Sequence, residues 1–278
     1  MTAAIAAAIA GGRLPGRVWF YTNYHCNMAC AYCLTESAPD ADRRALPLEQ
    51  IADLARQAVG LGFGSFGVTG GEPFLLPGLP DLLVEMAELG ETVALTNGTV
   101  FGPERLQRLR PLAGTQVAIQ ISLDAPTADL NDELREPENF ARVIDLVPRL
   151  VDMGIRVRIG TTVEPDRLDT DQHAELCALH RSLGVPDEDH VVRPVINRGR
   201  AHTAGLGEHI DHRQIPAELT ISADGAFWSP FGPTVIDGKL QTDLLLTRTI
   251  DPIERPAMAL ASLVGSLPEG YDARIGIR

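Results

Sequence analysis

From Arg17 onward, short runs of β-branched and aromatic residues alternate with longer amphipathic stretches. This alternation is the tightest constraint the chain places on its own fold. The runs at 18–22, 65–69, 92–96, 116–123, 155–163 and 191–196 predict six strands. The stretches at 48–61, 79–89, 103–109, 139–153 and 171–183 predict helices between them, several followed by a stop glycine at Gly62, Gly90, Gly154 or Gly184. A strand that returns to its sheet through a helix lies parallel to its neighbour, so the pattern specifies an α/β protein with a parallel sheet. Eight such units usually take about 250 residues, and six in a shorter span predict a partial (β/α)6 TIM-like barrel rather than a complete one. The chemistry of such a sheet belongs at the C-terminal ends of its strands.

Beyond Gly205 the pattern changes. Residues 218–222 and 226–228 flank an Asp224-Gly225 turn and predict a hairpin, Asp237-Gly238 predicts a second turn, and Asp251-Pro252 opens a last helix through about Leu267. The expected organisation is an N-terminal helix and linker over 1–16, the barrel over 17–204, and a C-terminal extension over 205–278 that closes the open side of the barrel. The alanine-rich start lacks the basic flank of a signal peptide and is read as a short helix. No apolar run approaches the roughly 20 residues of a membrane span, and the expected location is the cytoplasm.

The formal charge is −13, and Lys239 is the only lysine. An acidic chain of this kind is repelled by phosphate backbones, so neither nucleic acid nor an anionic membrane is an expected partner. Three of the four cysteines, Cys26, Cys30 and Cys33, fall within eight residues directly after the first predicted strand. Such crowding is a metal signal in a reducing compartment and not a disulfide framework. Thiolates hold iron–sulfur clusters, and three in one loop leave the fourth iron without a protein ligand. Structural zinc is the alternative, but zinc sites usually pair two cysteines with a second pair farther along the chain, and Cys177 stands alone.

The segment Cys26-Asn27-Met28-Ala29-Cys30-Ala31-Tyr32-Cys33 resembles the signature of the radical S-adenosylmethionine enzymes. Further segments resemble that family in order: Gly70-Gly71-Glu72-Pro73 after strand two, Thr96-Asn97-Gly98 at the end of strand three, Ser122-Leu123-Asp124 at the end of strand four, and Asn197-Arg198-Gly199-Arg200-Ala201 after strand six. The resemblance extends from Arg17 to about Ala201. It implies that Cys26, Cys30 and Cys33 bind a 4Fe-4S cluster whose open iron is chelated by S-adenosylmethionine. It implies contacts to that cofactor from Tyr32, Gly70, Gly71, Glu72 and Pro73, with Glu72 facing the methionine amino group, and from Ser122 and Asp124 toward ribose or carboxylate. Arg135 matches the arginine that relatives aim at the carboxylate, and Asn97 and Arg193 are weaker candidates. Reductive cleavage would give a 5′-deoxyadenosyl radical that abstracts hydrogen from a substrate. Its electron would come from an external one-electron donor such as flavodoxin or ferredoxin.

The hairpin around 221–230 resembles the start of a cysteine-rich extension of some relatives, yet Ser229 stands where a cysteine is expected and no cysteine follows Cys177. That favours a small-molecule substrate, a sugar, nucleoside or natural-product intermediate, over a peptide. A degenerate, non-catalytic cluster- or zinc-binding protein is the third reading. Arg156, Arg158, Gly160 and Thr162 share one face of strand five. Arg156 and Arg158, with Arg193 and Arg200, are candidate ligands for an anionic group on the substrate, and Trp228 is a candidate for its mouth. Cys177, the spare thiol, is expected in the packed core, with a lesser candidacy as hydrogen donor. His202, His209 and His212 match no metal spacing and are expected in solvent.

Overall fold

The computed structural model describes residues 2–164, 170–211 and 215–266. Helix α1 (Thr2–Ala10) leads into strand β1 (Arg17–Tyr21). The repeating part follows: α2 (Leu48–Gly60), β2 (Ser65–Thr69), α3 (Leu79–Leu89), β3 (Glu91–Thr96), α4 (Pro103–Leu109), β4 (Val117–Ser122), α5 (Ala128–Leu134), α6 (Asn139–Asp152), β5 (Arg156–Val163), α7 (Thr170–Ser182) and β6 (His190–Pro194). After α8 (Arg200–Ala204) come β7 (Leu219–Ser222), β8 (Gly225–Phe227), β9 (Thr234–Ile236), β10 (Lys239–Gln241), β11 (Leu245–Thr247) and α9 (Glu254–Ser266). No helix among the described residues is long and apolar enough to cross a membrane.

Strands β1 to β6 are parallel and adjacent in sequence order, as in a barrel. Their outward residues, including Phe20, Phe66, Val68, Ile119, Ile121 and Ile159, join the helices in one buried core. The amphipathic stripes of α2 and α6 supply Ile51, Leu54, Val143 and Leu150 to it. Gly62, Gly154 and Gly184 end their helices with positive φ, whereas Gly90 is extended.

The inward face is different in kind. At the base of the concavity the Trp19 indole lies flat on Gly67, where a Cβ would sit 2.1 Å from a ring atom, and packs on Val93 and Leu95. Gln120 covers Gly160 in the same way. The barrel is partial, as expected, but the extension does not close it from the β6 side. Strand β7 pairs in parallel with β1, β8 with β7, and β11 with β8, so the sheet grows outward from its β1 edge. The hairpin β9–β10 stands apart as a two-stranded sheet above the strand ends.

Candidate active site

The long segment between β1 and α2 is closed at its neck by Leu46 N–H donating to Thr22 O (2.8 Å) and Tyr24 N–H to Arg44 O (3.1 Å). Within it, Cys33 N–H donates to Cys30 O (3.2 Å) and Cys26 N–H to Ala38 O (3.3 Å), which turns the loop back on itself. Cys26, Cys30 and Cys33, all free thiols, line one cavity of about 210 Å³ at the C-terminal ends of the strands. Backbone and side-chain N–H groups aim at the sulfurs: Met28 N–H (3.4 Å) and Asn97 Nδ2 (3.7 Å) at Cys26 Sγ, Ser37 N–H (3.3 Å) at Cys33 Sγ.

Burial pushes the Cys26 thiol up to about 12 and the Cys30 thiol up to about 11. A bound metal favours the thiolate form against that burial. Among the described residues, no three metal-ligating side chains converge on a point that would hold a single ion. Three thiols lining one cavity without converging on a point, with N–H donors on two of them, fit a polynuclear iron–sulfur cluster better than one zinc.

Gly70, Gly71 and Pro73 line the same cavity. A Cβ on Gly70 would stand 2.4 Å from Asn23 Oδ1, and one on Gly71 2.3 Å from His25 O, so the pair lets the loop after β2 lie against the start of the cysteine loop. Glu72 is fully buried and its carboxylate is absent from the cavity wall. Oε1 accepts from Phe74 N–H (3.0 Å) and Thr96 Oγ1 (2.9 Å), and Oε2 from Asn97 N–H (2.8 Å). Burial raises its pKa to about 7 against these donors. The expected charge partner of a methionine amino group is thus a bracket between the ends of β2 and β3. Asn97, which it holds, does line the cavity and also donates to Asn27 Oδ1 (3.0 Å).

Asp124 is likewise consumed by the protein. Its Oδ2 accepts from Arg135 Nε (2.6 Å) and the Tyr32 hydroxyl (2.5 Å), and its Oδ1 from Thr162 N–H (2.8 Å). Arg135, expected to meet a cofactor carboxylate, already has a carboxylate, although part of it reaches the cavity wall with Tyr32 and Ser122. Sequence reasoning missed Asn131 and Asn139. Asn131 Oδ1 accepts from Asp124 N–H (2.9 Å), and Asn139 Nδ2 donates to Asn97 O (3.0 Å), which ties the two strand ends together.

Arg193 on β6 faces the cavity, and among the described residues no carboxylate lies within ion-pair distance of it. Its Nε reaches Thr162 Oγ1 at 3.4 Å. Burial lowers its pKa, which marks a cation held without full compensation.

Other expectations are corrected. Arg156 and Arg158 do point inward, but they sit at the first residues of β5. They line a second cavity with Arg17, Ser65 and Glu91 at the opposite mouth, where Asp189 binds Arg156 at 2.6 Å. Arg158 Nε lies 3.8 Å from the same carboxylate. Arg200 turns onto backbone carbonyls of the cysteine loop. Trp228 is 8% exposed in the main core, and Pro230 and Phe231 line the cavity in its place. Cys177 is not in the packed core and does not line the cavity: half-buried on α7, it touches His173 Nε2 (3.6 Å) and His190 Nδ1 (3.7 Å). His202 and His209 are exposed, and His212 lies outside the described residues.

Residues 21–177, more than half of the chain, match the Radical SAM superfamily, and the chain belongs to that superfamily. Its members are enzymes that use a 4Fe-4S cluster and S-adenosylmethionine. Among curated relatives, the antilisterial bacteriocin subtilosin biosynthesis protein AlbA of Bacillus subtilis is 31% identical over 152 residues, which are 54% of this chain and 34% of AlbA. The GTP 3′,8-cyclase of Marinobacter nauticus is 33% identical over 162 residues, 57% of this chain and 48% of the cyclase. The chain thus spans about a third to a half of these two relatives. Similar solved folds include Streptococcus suis SuiB bound to S-adenosylmethionine (TM-score 0.57, 23% identity, 68% of this chain and 43% of that one). Another is anSMEcpe with bound AdoMet and Cp18Cys peptide (TM-score 0.60, 11% identity, 91% and 84%).

Proposed function

We propose that Cys26, Cys30 and Cys33 hold a 4Fe-4S cluster, and that the enzyme abstracts hydrogen from a small molecule bearing a carboxylate or phosphate. The observation that carries this reading is one cavity whose lining includes all three thiols and Arg193, a buried cation with no carboxylate among the described residues within ion-pair distance. When bound, the cluster and S-adenosylmethionine supply a 5′-deoxyadenosyl radical on receipt of an electron from an external donor of the flavodoxin or ferredoxin class. The chain's own part is placement and exclusion of water. Trp19, Tyr21, Met28, Leu95 and Phe231 form apolar walls, while Ser122, Thr162 and Arg193 form a polar side that orients an anion. Glu72 and the Asp124–Arg135 pair hold the loops that bear the cavity lining. A reducing cytoplasm, which keeps the four thiols unpaired, is the compartment this reading assumes.

A peptide substrate is the second reading, favoured by the identity to AlbA, whose name places it in bacteriocin biosynthesis. Anaerobic reconstitution tests the common part: about four irons per chain and dithionite-dependent 5′-deoxyadenosine support it, and zinc as the sole bound metal refutes it. Transfer of deuterium into 5′-deoxyadenosine from labelled anionic small molecules, against labelled peptides, separates the two readings. A rise in KM for the accepted substrate in Arg193→Gln supports the anion contact, and an unchanged KM removes it.

A further inference from the structure

The cysteine loop is gripped from outside by a segment that does not line the cavity. Gly199, with φ +61°, lies so close to it that a Cβ would stand 2.4 Å from both Cys33 O and Leu34 O. This approach brings the Arg200 N–H to Cys33 O at 2.8 Å. The Arg200 side chain then forks: Nη1 donates to Cys30 O at 2.5 Å and Nη2 to Ser37 O at 3.0 Å. One residue thereby reaches the carbonyls of Cys30, Cys33 and Ser37, on both limbs of the turn that carries Cys33. Its guanidinium has no carboxylate among the described residues, so its charge is left facing the loop.

The gripping segment is itself fastened. Arg198 pairs with Asp243 through two bonds of 2.8 and 2.9 Å and donates to Thr234 Oγ1 at 3.0 Å. From the same extension, Val235 N–H donates to Leu34 O at 2.9 Å, and the N–H groups of Asp237 and Gly238 meet the Glu36 carboxylate at 2.9 Å each. The loop is held between β6's following turn and the β9–β10 hairpin.

We propose that Arg200 is a positioning residue: its fork fixes the cysteine loop in its cluster-binding shape, and its charge eases reduction of the cluster. The proposal rests on the reading that the three cysteines bind a 4Fe-4S cluster. A planar guanidinium spans two carbonyls where an ammonium serves one, so the shape and charge effects are separable by substitution. A cation beside a cluster offsets the negative charge added on reduction, and its removal lowers the potential.

The test uses the full chain, reconstituted anaerobically with iron and sulfide, as wild type, Arg200→Lys and Arg200→Gln. Iron release to a chelator and the midpoint potential from an EPR-monitored titration are measured. Arg200→Gln is expected to release iron about tenfold faster, the scale set by loss of a charge-assisted hydrogen bond, and to show a more negative potential. Arg200→Lys is expected to keep the potential near wild type while still releasing iron faster. Arg198→Met, which loosens the segment without touching the loop, should accelerate release in the same direction by less and keeps the test available if Arg200 variants do not fold. Wild-type release rates in all the variants that fold would overturn the positioning role, and unchanged potential in Arg200→Gln would overturn the charge role. Failure of the wild type to take up iron refutes the cluster reading instead.

Discussion

Arg135 Nε lies 2.6 Å from Asp124 Oδ2, with both side chains at most 5% exposed, and Arg135 also lines the cavity that the cysteines share. Two charges so deeply placed depend on one another, because removal of either strands its partner away from water. Asp124→Asn is expected to destabilise the fold by about 3–5 kcal/mol, read from urea unfolding. Asp124→Asn with Arg135→Met should cost less than the sum of the single changes. Additive costs would show that the two side chains act independently.

Glu72→Gln tests the bracket between β2 and β3. A glutamine offers one carbonyl oxygen where the carboxylate uses two, and its NH2 confronts one of the donors from Phe74, Thr96 and Asn97. A loss of about 1–3 kcal/mol in unfolding free energy is expected. Unchanged stability would mean that the three donors have other acceptors.

His180 is completely buried with neither ring nitrogen bonded, and burial lowers its pKa to about 3, with the neighbouring His190 lowered to about 4. Unfolded histidine titrates near 6.5, so the unfolded chain takes up these protons first. Stability is therefore full above about pH 6.5 and declines as pH falls toward the folded values. His180 alone accounts for about 2 kcal/mol lost by pH 5. His180→Leu should flatten the profile between pH 7 and 5, leaving the slope due to His190. Unfolding midpoints that run parallel in the variant and wild type would contradict the assignment.

Gly67→Ala would drive a methyl into the Trp19 ring. Overpacking of this order costs about 1–3 kcal/mol, and the indole must tilt, which changes the Trp19 fluorescence maximum in a Trp228→Phe background. Identical spectra and stability would show that the two strands can separate freely there.

Single Cys26→Ala, Cys30→Ala and Cys33→Ala variants are each expected to lose most reconstituted iron and the cluster's visible absorption. Cys177→Ala should retain both, since that thiol lies on α7 against His173 and His190. Iron loss in Cys177→Ala as well would place a ligand outside the loop.

Strands β1 to β6 were legible because buried parallel strands are continuous runs of β-branched and aromatic residues, and their observed ends fall within two residues of those expected. The short helices α5 and α8 escaped, since the five residues of α8 carry little periodicity and α5 is mostly polar, with Leu130 exposed. Arg156 and Arg158 illustrate a different limit. Period-two alternation correctly assigned their face, but a side chain's depth depends on its distance from the strand's C-terminal end, and these begin β5. For Glu72, Asp124 and Arg135 the motifs marked the neighbourhood correctly, yet composition could not reveal that Asp124 and Arg135 pair with each other and that Glu72 is spent on two backbone N–H groups and the Thr96 hydroxyl. Asn131 and Asn139 carried no local signal because their partners lie across the fold.

The pairing of β1 with β7 joins Val18 to Leu219 and Phe20 to Ile221. During synthesis, the strand that delivers the cysteine loop therefore has β2 on one side and an open edge on the other until some two hundred more residues have emerged. Contacts so distant in sequence form slowly. The interval is a window in which the thiols are not yet held by the β9–β10 hairpin, and an exposed strand edge invites association between nascent chains. The topology of a single edge thus makes the last-synthesised third of the chain a requirement for the finished cysteine loop.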